Sequence, residues 1–424
     1  MDRLHSSWTS SCIGNTCLVG DGAHASLKRQ SMGVLYLTSK NIKDGRLDLS
    51  KVDYISQTDF AKHFRNDSKA VTIPSRDDVV FGIIGSIGEP YLVRRTDQFG
   101  ISSSVAILRP NPDIITSEYL FQWVKSNLFQ DALYGIKGGV AQGYVSLEMI
   151  RSLPLNYPPI SAQRKIAAVL SAYDDLIENN TRRIQVLEEM AQAIYREWFV
   201  NFRFPDHENV KIVESELGLI PEGWKVTGVY EAVEVNPTTR TPKDTTKPFV
   251  TMQNLSNNSM LINGFEYRIG NSGSKFRDGD TLFARITPCL ENGKTGYVQF
   301  LASDDAVAIG STEFIVLRSK TLCPEFVYLM ARSDGFRDNA IKSMTGASGR
   351  QRVQEACFKE YLLAHPQEPL LSKFRSAVAP MFRQVQILAQ KNENLRQTRD
   401  LLLPKLVSGE VDVSELNIDV GGEF

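Results

Sequence analysis

Two long stretches of the chain carry the heptad pattern of supercoiled helices, and they lie about 208 residues apart. In each stretch apolar residues recur roughly every 3.5 residues, which keeps one seam of a helix turned towards a partner helix. The first seam consists of Ile166, Leu170, Tyr173, Ile177, Asn180, Ile184, Leu187, Ala191, Ile194 and Trp198. The second consists of Leu371, Phe374, Val378, Met381, Val385, Leu388, Asn392, Leu395, Arg399, Leu402 and Leu406. Two such seams in one chain most simply bury each other, so the pattern predicts an intramolecular antiparallel pair.

Proline and serine residues mark where the long helices begin and where they are interrupted. Pro158-Pro159 cannot continue a helix backwards and Ser161 is a good N-cap, so the first helix is predicted over 161–199. Pro380 and Pro404 should kink or end the second helix, because proline lacks the amide hydrogen that a helix interior uses.

Each seam contains one asparagine, Asn180 in the first and Asn392 in the second. An asparagine there is either a surface amide tolerated at a wide spot or a buried residue that fixes the register of the pair. The sequence leaves both interpretations open, and both residues are candidates for setting the register. Arg399 is the one charged residue on the second seam and departs from its pattern.

The segments that precede the two helices also resemble each other. Residues 37–42 correspond to 250–255, and residues 106–109 correspond to 315–318. Short β-rich runs alternate with Gly, Asn and Asp turns, and each half then has one helical pattern, at 117–133 and 324–341. We therefore predict an α+β protein in which two globular α/β domains are separated by an antiparallel pair of long coiled-coil helices, with a pseudo-twofold internal repeat. The predicted divisions are 1–157 for the first domain, 158–216 for a helical spacer and linker, 217–365 for the second domain, and 366–424 for a C-terminal helical spacer.

The composition favours a cytoplasmic protein without a membrane anchor. Hydrophobic residues make up 42% and charged residues 23% of the chain, as in ordinary globular proteins. The most apolar stretch, 79–87, is far shorter than the roughly 20 residues of a membrane helix. The N-terminus lacks the pattern of a secretory signal, and five cysteines without a C-x-x-C pair fit a reducing compartment. The net charge of −1 does not exclude nucleic acid, because a basic face can be balanced by an acidic one.

Motifs that carry catalysis or bind cofactors are missing from the sequence. There is no phosphate-binding P-loop, no glycine-rich dinucleotide turn and no zinc-protease H-E-x-x-H. The five histidines are scattered, and none has an obvious nucleophile partner. We therefore expect a non-catalytic chain with no cofactor or metal of its own, and these absences count against a self-contained nuclease or methyltransferase.

Both halves place polar and basic side chains on glycine-rich turns at corresponding positions. Arginine and glutamine can form paired hydrogen bonds with guanine and adenine edges, and lysine can hold phosphates. A single loop of this kind is at least as often a solvated turn, but matching loops in both halves favour DNA. The candidate DNA contacts are Lys28, Arg29, Gln142, Tyr144, Arg285, Lys294, Arg350 and Arg352.

These features together resemble the specificity (S) subunits of type I restriction-modification enzymes. The strongest match is the helix segment 177–199, and 158–166 is similar to the family's signature at the start of its central helix, with Ala162 where that signature usually has Glu. The segments 220–224 and 401–410 are also typical. The likeness covers essentially the whole chain in the order head, helix, head, helix, although the repeat is imperfect at 366–369.

The resemblance implies a DNA-recognition subunit that is not itself an enzyme. Each globular domain would be a target-recognition domain that reads one half of a split, asymmetric sequence in double-stranded DNA. The helical pair would fix the gap between the halves and bind two methyltransferase (M) subunits, and two restriction (R) subunits would join. S-adenosylmethionine, ATP and Mg²⁺ would then be bound by those partner subunits.

Two other interpretations remain open at this point. The chain could be the specificity subunit of an orphan methyltransferase that has no R subunit. It could also be a coiled-coil interaction protein without a DNA role, which the two seams alone would permit.

Overall fold

The computed structural model describes residues 7–65, 70–138, 145–303, 305–347 and 349–420. The chain divides into two compact units. Unit 1 comprises Met1–Leu176 with Asn394–Phe424, and unit 2 comprises Ile177–Glu393. Each unit contains one mixed α/β part, called here the first head and the second head, and a segment of each of the two long helices.

The first head is built from short strands and five helices. Its strands are β1 (Thr9–Cys12), β2 (Cys17–Asp21), β3 (Val34–Leu37), β4 (Ile42–Lys43), β5 (Arg46–Leu47), β6 (Asp53–Ile55), β7 (Val79–Gly82), β8 (Pro90–Leu92), β9 (Phe99–Ile101), β10 (Val105–Pro110) and β11 (Pro154–Tyr157). Its helices are α1 (Ile13–Thr16), α2 (Gln57–His63), α3 (Ser117–Lys125), α4 (Asn127–Gly138) and α5 (Leu147–Ser152). The first long helix, α6, follows at Ile160–Tyr195 and ends in a π-helical turn at Arg196–Val200.

The second head repeats this order after a short hairpin. The hairpin strands are β12 (Ile212–Ser215) and β13 (Gly218–Pro221). The head itself contains β14 (Lys225–Gly228), α7 (Val229–Ala232), β15 (Val233–Val235), β16 (Thr246–Val250), β17 (Glu266–Ile269), β18 (Ser274–Phe276), β19 (Thr281–Ala284), β20 (Thr295–Tyr297), β21 (Ala308–Gly310), β22 (Phe314–Ser319), α8 (Pro324–Arg332), α9 (Asp334–Lys342) and β23 (Leu362–His365). The second long helix, α10, spans Glu368–Ser408.

The main sheets of the two heads have the same strand order. One four-stranded antiparallel sheet has the order β2-β10-β7-β8, and its counterpart has the order β15-β22-β19-β20. A second sheet contains one parallel pair in each head, β3 with β9 and β16 with β21. The first and last strands of each head also pair, β1 with β11 and β14 with β23. The internal repeat inferred from sequence is therefore present as a repeated fold.

The repeat extends to individual hydrogen bonds. A 3-10 turn follows β3 and another follows β16, and each begins with a reciprocal capping box, Thr38 with Asn41 and Thr251 with Asn254. In both boxes the asparagine Oδ1 accepts from the threonine backbone N, at 2.9 Å and 2.7 Å. The matching TSKN and TMQN tetrapeptides thus encode the same local structure, because the Thr and Asn side chains satisfy the backbone donors of the turn.

The helix predicted in each head is two helices in the structure. The prediction of single helices over 117–133 and 324–341 is wrong at one residue in each, because the chain is extended at Ser126 (ψ 151°) and at Ser333 (ψ 148°). The hydroxyl of Ser126 donates to the carbonyl of Trp123 at 2.6 Å, and that of Ser333 donates to Met330 at 2.7 Å. A serine that bonds back to the preceding turn favours such a break.

The second long helix runs through Pro380 and Pro404. It was expected to kink or end at Pro380 and Pro404, but it ends at neither and continues to Ser408. Proline leaves the carbonyl four residues earlier without its helical donor. Those carbonyls belong to Ser376 and Asp400, which are exposed, so water can replace the missing hydrogen bond.

Within each unit the two long helices run antiparallel. In unit 1 Asp174 of α6 pairs with Arg399 of α10, and Lys165 at the start of α6 reaches the carbonyl of Ser414 beyond the end of α10. In unit 2 Asn180 bonds to Asn392, while Trp198 packs on Phe374 with ring centroids 5.9 Å apart. The predicted α+β fold with two heads and two long paired helices is confirmed.

The seam residues are buried together with the core of the head in their own unit. In unit 1 Ile166 and Leu170 share a core with Leu403 and Leu406. In unit 2 the buried residues Ile184 and Ala191 belong to the same core as Val385 and Leu388. Both long helices therefore contribute side chains to the hydrophobic core of each unit.

Candidate nucleic-acid interface

Lys28 and Arg29 lie on the loop between β2 and β3 and are exposed. The Arg29 guanidinium lies 3.9 Å from the centroid of the Tyr36 ring, and its Nε is 3.3 Å from Asp53 Oδ2. These contacts hold Arg29 in a defined position at the surface. Lys28 has no ion-pair partner among the residues that the structure describes, so its ammonium is available to a ligand. Gln142 and Tyr144 lie outside the described residues.

Arg285 and Arg352 lie close together in the second head and face acidic partners. The Arg352 guanidinium forms a bidentate pair with Glu313, with Nη2 2.6 Å from Oε1 and Nε 3.0 Å from Oε2. Its hydrogen bonds lower the pKa of the Glu313 carboxyl. Arg285 Nη1 is 3.3 Å from Glu355 Oε1, and the backbone N of Arg285 donates to Glu313 O. Both arginines are therefore held by carboxylates in this state of the protein.

The loop that carries Arg350 lies against the chain after β19. Thr287 N donates to Gln351 O, and the Thr287 hydroxyl accepts from Gln351 N at 3.0 Å. Arg350 is exposed on this loop. The structure thus brings three of the four candidates in the second head, Arg285, Arg350 and Arg352, to one pair of neighbouring loops.

Lys294 is turned inward and stabilises a turn of the protein. Its Nζ donates to the carbonyls of Met252 and Leu255 at 2.9 Å and 2.8 Å. Those carbonyls belong to the 3-10 turn after β16, so the ammonium satisfies acceptors that the turn leaves open. Lys294 is a structural residue in this conformation.

Sequence reasoning missed two matching ion pairs that join the strands of the main sheets. Asp78 accepts two hydrogen bonds from Arg109, at 2.9 Å and 2.8 Å, and Asp280 accepts two from Arg318, at 2.8 Å and 2.7 Å. Both carboxylates are almost fully buried. The signal was available, because both arginines fall in the corresponding segments 106–109 and 315–318. A repeated bidentate pair at equivalent positions marks a structural constraint and not a base contact.

Asp174 links the first head to both long helices. Its Oδ2 is 2.9 Å from Lys125 Nζ of α3, and its Oδ1 is 2.6 Å from Arg399 Nη1 of α10. Burial alone would raise the pKa of Asp174, but Lys125 and Arg399 together lower it. The charged residue that departs from the second seam, Arg399, is therefore explained by this carboxylate.

Glu188 attaches the second head to α6. This residue of α6 is buried, and its Oε1 accepts hydrogen bonds from the Ser259 hydroxyl and from the backbone N of Met260. Burial raises the pKa of Glu188, while those hydrogen bonds act in the opposite direction. Each head is thus attached to α6 by one acidic side chain.

The two seam asparagines contact each other. Asn180 Nδ2 donates to Asn392 Oδ1 at 2.9 Å, and Asn392 Nδ2 lies 3.2 Å from Thr181 Oγ1 and 3.3 Å from Ile177 O. Asn180 is 9% and Asn392 is 3% exposed. The structure thus places both amides in the buried seam, where a polar pair has one satisfied arrangement.

The described part of the chain has neither a cluster of metal ligands nor a helix that could span a membrane. It contains no group of three or more His, Cys, Asp or Glu residues placed to hold a metal ion. None of its helices combines the length and the apolar character that crossing a membrane requires.

Comparison with known families identifies the type of domain. Residues 10–189 match the family model described as the type I restriction modification DNA specificity domain. The match covers the first head and most of α6.

Curated relatives have the same description over a larger part of the chain. The MjaIX specificity subunit of a type I restriction enzyme from Methanocaldococcus jannaschii is 27% identical over 323 residues, which are 72% of this chain and 71% of that protein. The HindI specificity subunit from Haemophilus influenzae is 21% identical over 74% of this chain and 82% of its own length.

A solved structure has the same fold along nearly the whole chain. The crystal structure of a type I restriction-modification system S subunit from M. genitalium matches with a TM-score of 0.57 and 12% identity, over 96% of this chain and 97% of that chain.

Proposed function

We propose that this chain belongs to the specificity-subunit family of type I restriction-modification enzymes and is the DNA-reading subunit of such an enzyme. It binds double-stranded DNA and performs no catalytic step itself. The first head reads one half of a split, asymmetric target and the second head reads the other half.

The observation that carries this proposal is the repeat of one fold in two heads whose loops differ. Capping boxes, sheet order and buried Asp–Arg pairs recur in both heads. The exposed loops stand at corresponding positions but differ in their residues: Lys28 and Arg29 lie on the loop after β2, and Arg240 and Lys243 lie on the corresponding loop after β15. One scaffold with two loop sets is suited to reading two different short sequences.

We propose further that the length of the helical pair sets the distance between the two half-sites. The supporting facts are the antiparallel contacts within each unit and the 36-residue length of α6. At 1.5 Å per residue such a helix is about 54 Å long. At about 3.4 Å per base pair, the duplex between the heads would include base pairs that neither head touches.

The arginines of the second head suggest how recognition differs from non-specific binding. Arg352 and Arg285 are neutralised by Glu313 and Glu355 in the free chain. A guanidinium leaves its carboxylate only for a base edge that offers hydrogen bonds of similar strength. Incorrect sequences do not offer them, so they gain little binding free energy from these arginines. Lys28, Arg29 and Arg350 are not bound in bidentate pairs and remain candidates for phosphate contacts, as Gln142 and Tyr144 remain candidates in the first head.

The partners in this proposal are two M subunits bound along the helical pair and two R subunits that join the assembly. S-adenosylmethionine, ATP and Mg²⁺ belong to those partners. The assembly would act in the cytoplasm, where it has access to the chromosome.

The proposal is tested by mapping methylated positions in a host that carries this gene with its M subunit gene. We expect a target of two defined segments separated by a fixed number of undefined bases. A single contiguous target, or no target, contradicts it. Methylation by this chain without the M subunit would instead support a self-contained methyltransferase.

Two further outcomes concern the remaining alternatives. Methylation of the split target without cleavage of unmethylated DNA indicates an orphan methyltransferase without an R subunit. A purified complex that binds target and random duplexes equally weakly indicates a coiled-coil interaction protein without a DNA role.

A further inference from the structure

The second head contains an open cleft of about 440 Å³, and Arg285 is one of the residues that line it. It is formed by the loop after β15, the start of β18 and the chain before β22. Its lining includes the cationic side chains of Lys275 and Arg285 and the exposed residues Thr238 and Thr312. No carboxylate is among the residues that line it.

The chemistry of this lining suits an anion. The Lys275 ammonium has no hydrogen-bond or ion-pair partner among the described residues, whereas Arg285 shares its charge with Glu355. The Thr238 and Thr312 hydroxyls can each donate one hydrogen bond. An ammonium flanked by hydroxyls and without a competing carboxylate is suited to the oxygens of a phosphate group.

The walls of the cleft are fixed by the protein's own hydrogen bonds. Asn236 is held on both sides, because its backbone N donates to Val316 O at 2.7 Å and its Oδ1 accepts from Val316 N at 2.9 Å. Gly273 has a φ of +92°, and a Cβ there would lie 2.0 Å from the carbonyl oxygen of Gly310. The turn before Lys275 can therefore approach β21 closely only with glycine, and little ordering is needed when a ligand binds.

In the described part of the first head, the equivalent position is occupied by the head's own chain. Gly20 stands opposite Ile107, as Asn236 stands opposite Val316. A Cβ on Gly20 would lie 1.9 Å from the carbonyl oxygen of Val71, so the first head's own chain fills this space. In addition, β18, which carries Lys275, has no counterpart among the described strands of the first head.

From these contacts we infer that the cleft of the second head holds one backbone phosphate of the DNA duplex, with Lys275 as its principal ligand. This inference rests on the proposed function and adds an asymmetry to it. The second head has a dedicated phosphate site beside its base-reading loops, and the first head does not. A phosphate contact there fixes the position of the second head on the duplex without regard to sequence.

The test uses the full chain assembled with its M subunits and duplexes that contain the mapped target. In each duplex one phosphate near the second half-site is replaced by an uncharged methylphosphonate. We expect one position at which neutralisation weakens the wild-type complex roughly tenfold, as for loss of a charge-assisted hydrogen bond. The Lys275→Gln complex should be weaker by a similar factor and insensitive at that position alone. Its affinity should also fall less steeply with salt, by about 0.9 in the logarithmic slope.

Lys225→Gln is the matched control, because Lys225 is exposed on β14 in a different sheet and does not line the cleft. It should behave as wild type at every methylphosphonate position. A Lys275→Gln complex that keeps wild-type affinity, or that stays sensitive at every position, overturns the phosphate site. Loss confined to the target duplex, with no loss on duplexes altered in the second half-site, overturns it as well, since that marks a base contact. A wild-type complex without target preference contradicts the proposed function itself, and this outcome is read before any variant is made.

Discussion

The paired asparagines allow a quantitative test of the helix interface. In Asn180→Leu, the Oδ1 of Asn392 loses its donor, but its Nδ2 keeps Ile177 O and Thr181 Oγ1 within 3.3 Å. We expect a loss of about 1 kcal/mol, at the low end for an unsatisfied buried group. In Asn392→Leu, the Asn180 amide, which is 9% exposed, loses the acceptor Asn392 Oδ1, so a loss of about 2–3 kcal/mol is expected.

The double variant Asn180→Leu/Asn392→Leu distinguishes a coupled pair from two independent amides. With both polar groups replaced by apolar ones, no buried amide is left unpaired, and the stability should return to within about 1 kcal/mol of wild type or exceed it. The free energies of unfolding are obtained from urea titrations followed by circular dichroism, with the denaturant slope compared among the four proteins. A double variant whose loss equals the sum of the single losses would refute the reasoning.

A matched control comes from the repeat itself. The offset of about 208 residues places Leu388 at the position of Asn180 and Ile184 at the position of Asn392, so the polar pair has no polar counterpart in the repeat. Ile184→Leu changes shape without changing polarity and should cost less than about 1.5 kcal/mol. Because the amides meet only when the two different helices pair, the contact also favours pairing of α6 with α10 over pairing of like helices.

Three further predictions concern ionisable side chains. Asp174→Asn should destabilise the protein by about 1–2 kcal/mol at pH 7 through the lost pairing with Lys125 and Arg399. Since the pKa of Asp174 is lowered below its usual 3.8, this advantage of the wild type is present above that pH and disappears as the pH falls below it, which urea titrations across pH will show. Glu188→Gln should be neutral or stabilising at pH 7, because burial raises the pKa of Glu188 above its usual 4.5, and the wild type should gain on the variant as the pH falls towards 4.5; a variant that is clearly less stable at pH 7 would show that the charge itself is needed. Arg352→Ala should weaken binding of the target duplex and not of duplexes altered in the second half-site, measured by mobility shift, and a uniform loss on all DNA would assign Arg352 to a phosphate instead.

Sequence alone predicted the architecture because its signals are periodic and repeated. The heptad seams and the 208-residue offset are visible without tertiary information, and the structure contains both long helices. The helix breaks at Ser126 and Ser333 could not be predicted from periodicity, because one residue in an extended conformation leaves the apolar spacing nearly unchanged. The continuation through Pro380 depends on exposure of the freed carbonyl, which a linear sequence does not reveal.

The candidate DNA contacts stay predictions, because residue type does not reveal which contacts a side chain already makes. Lysine is a residue type that binds phosphates, yet the ammonium of Lys294 donates to two carbonyls of its own chain. The sequence does not single out Lys275, because its proposed role depends on β18 and on a cleft formed by segments far apart in the chain. Such residues become visible only when the partners of each charge are known.

The central claim is that each head reads one half of a split target and the helical pair sets the gap. It is tested most directly by replacing residues 217–365 with the corresponding head of a relative and mapping the methylated target again. We expect one half of the target to change while the other half and the number of intervening bases stay the same. A change in both halves, or in the gap alone, would contradict it.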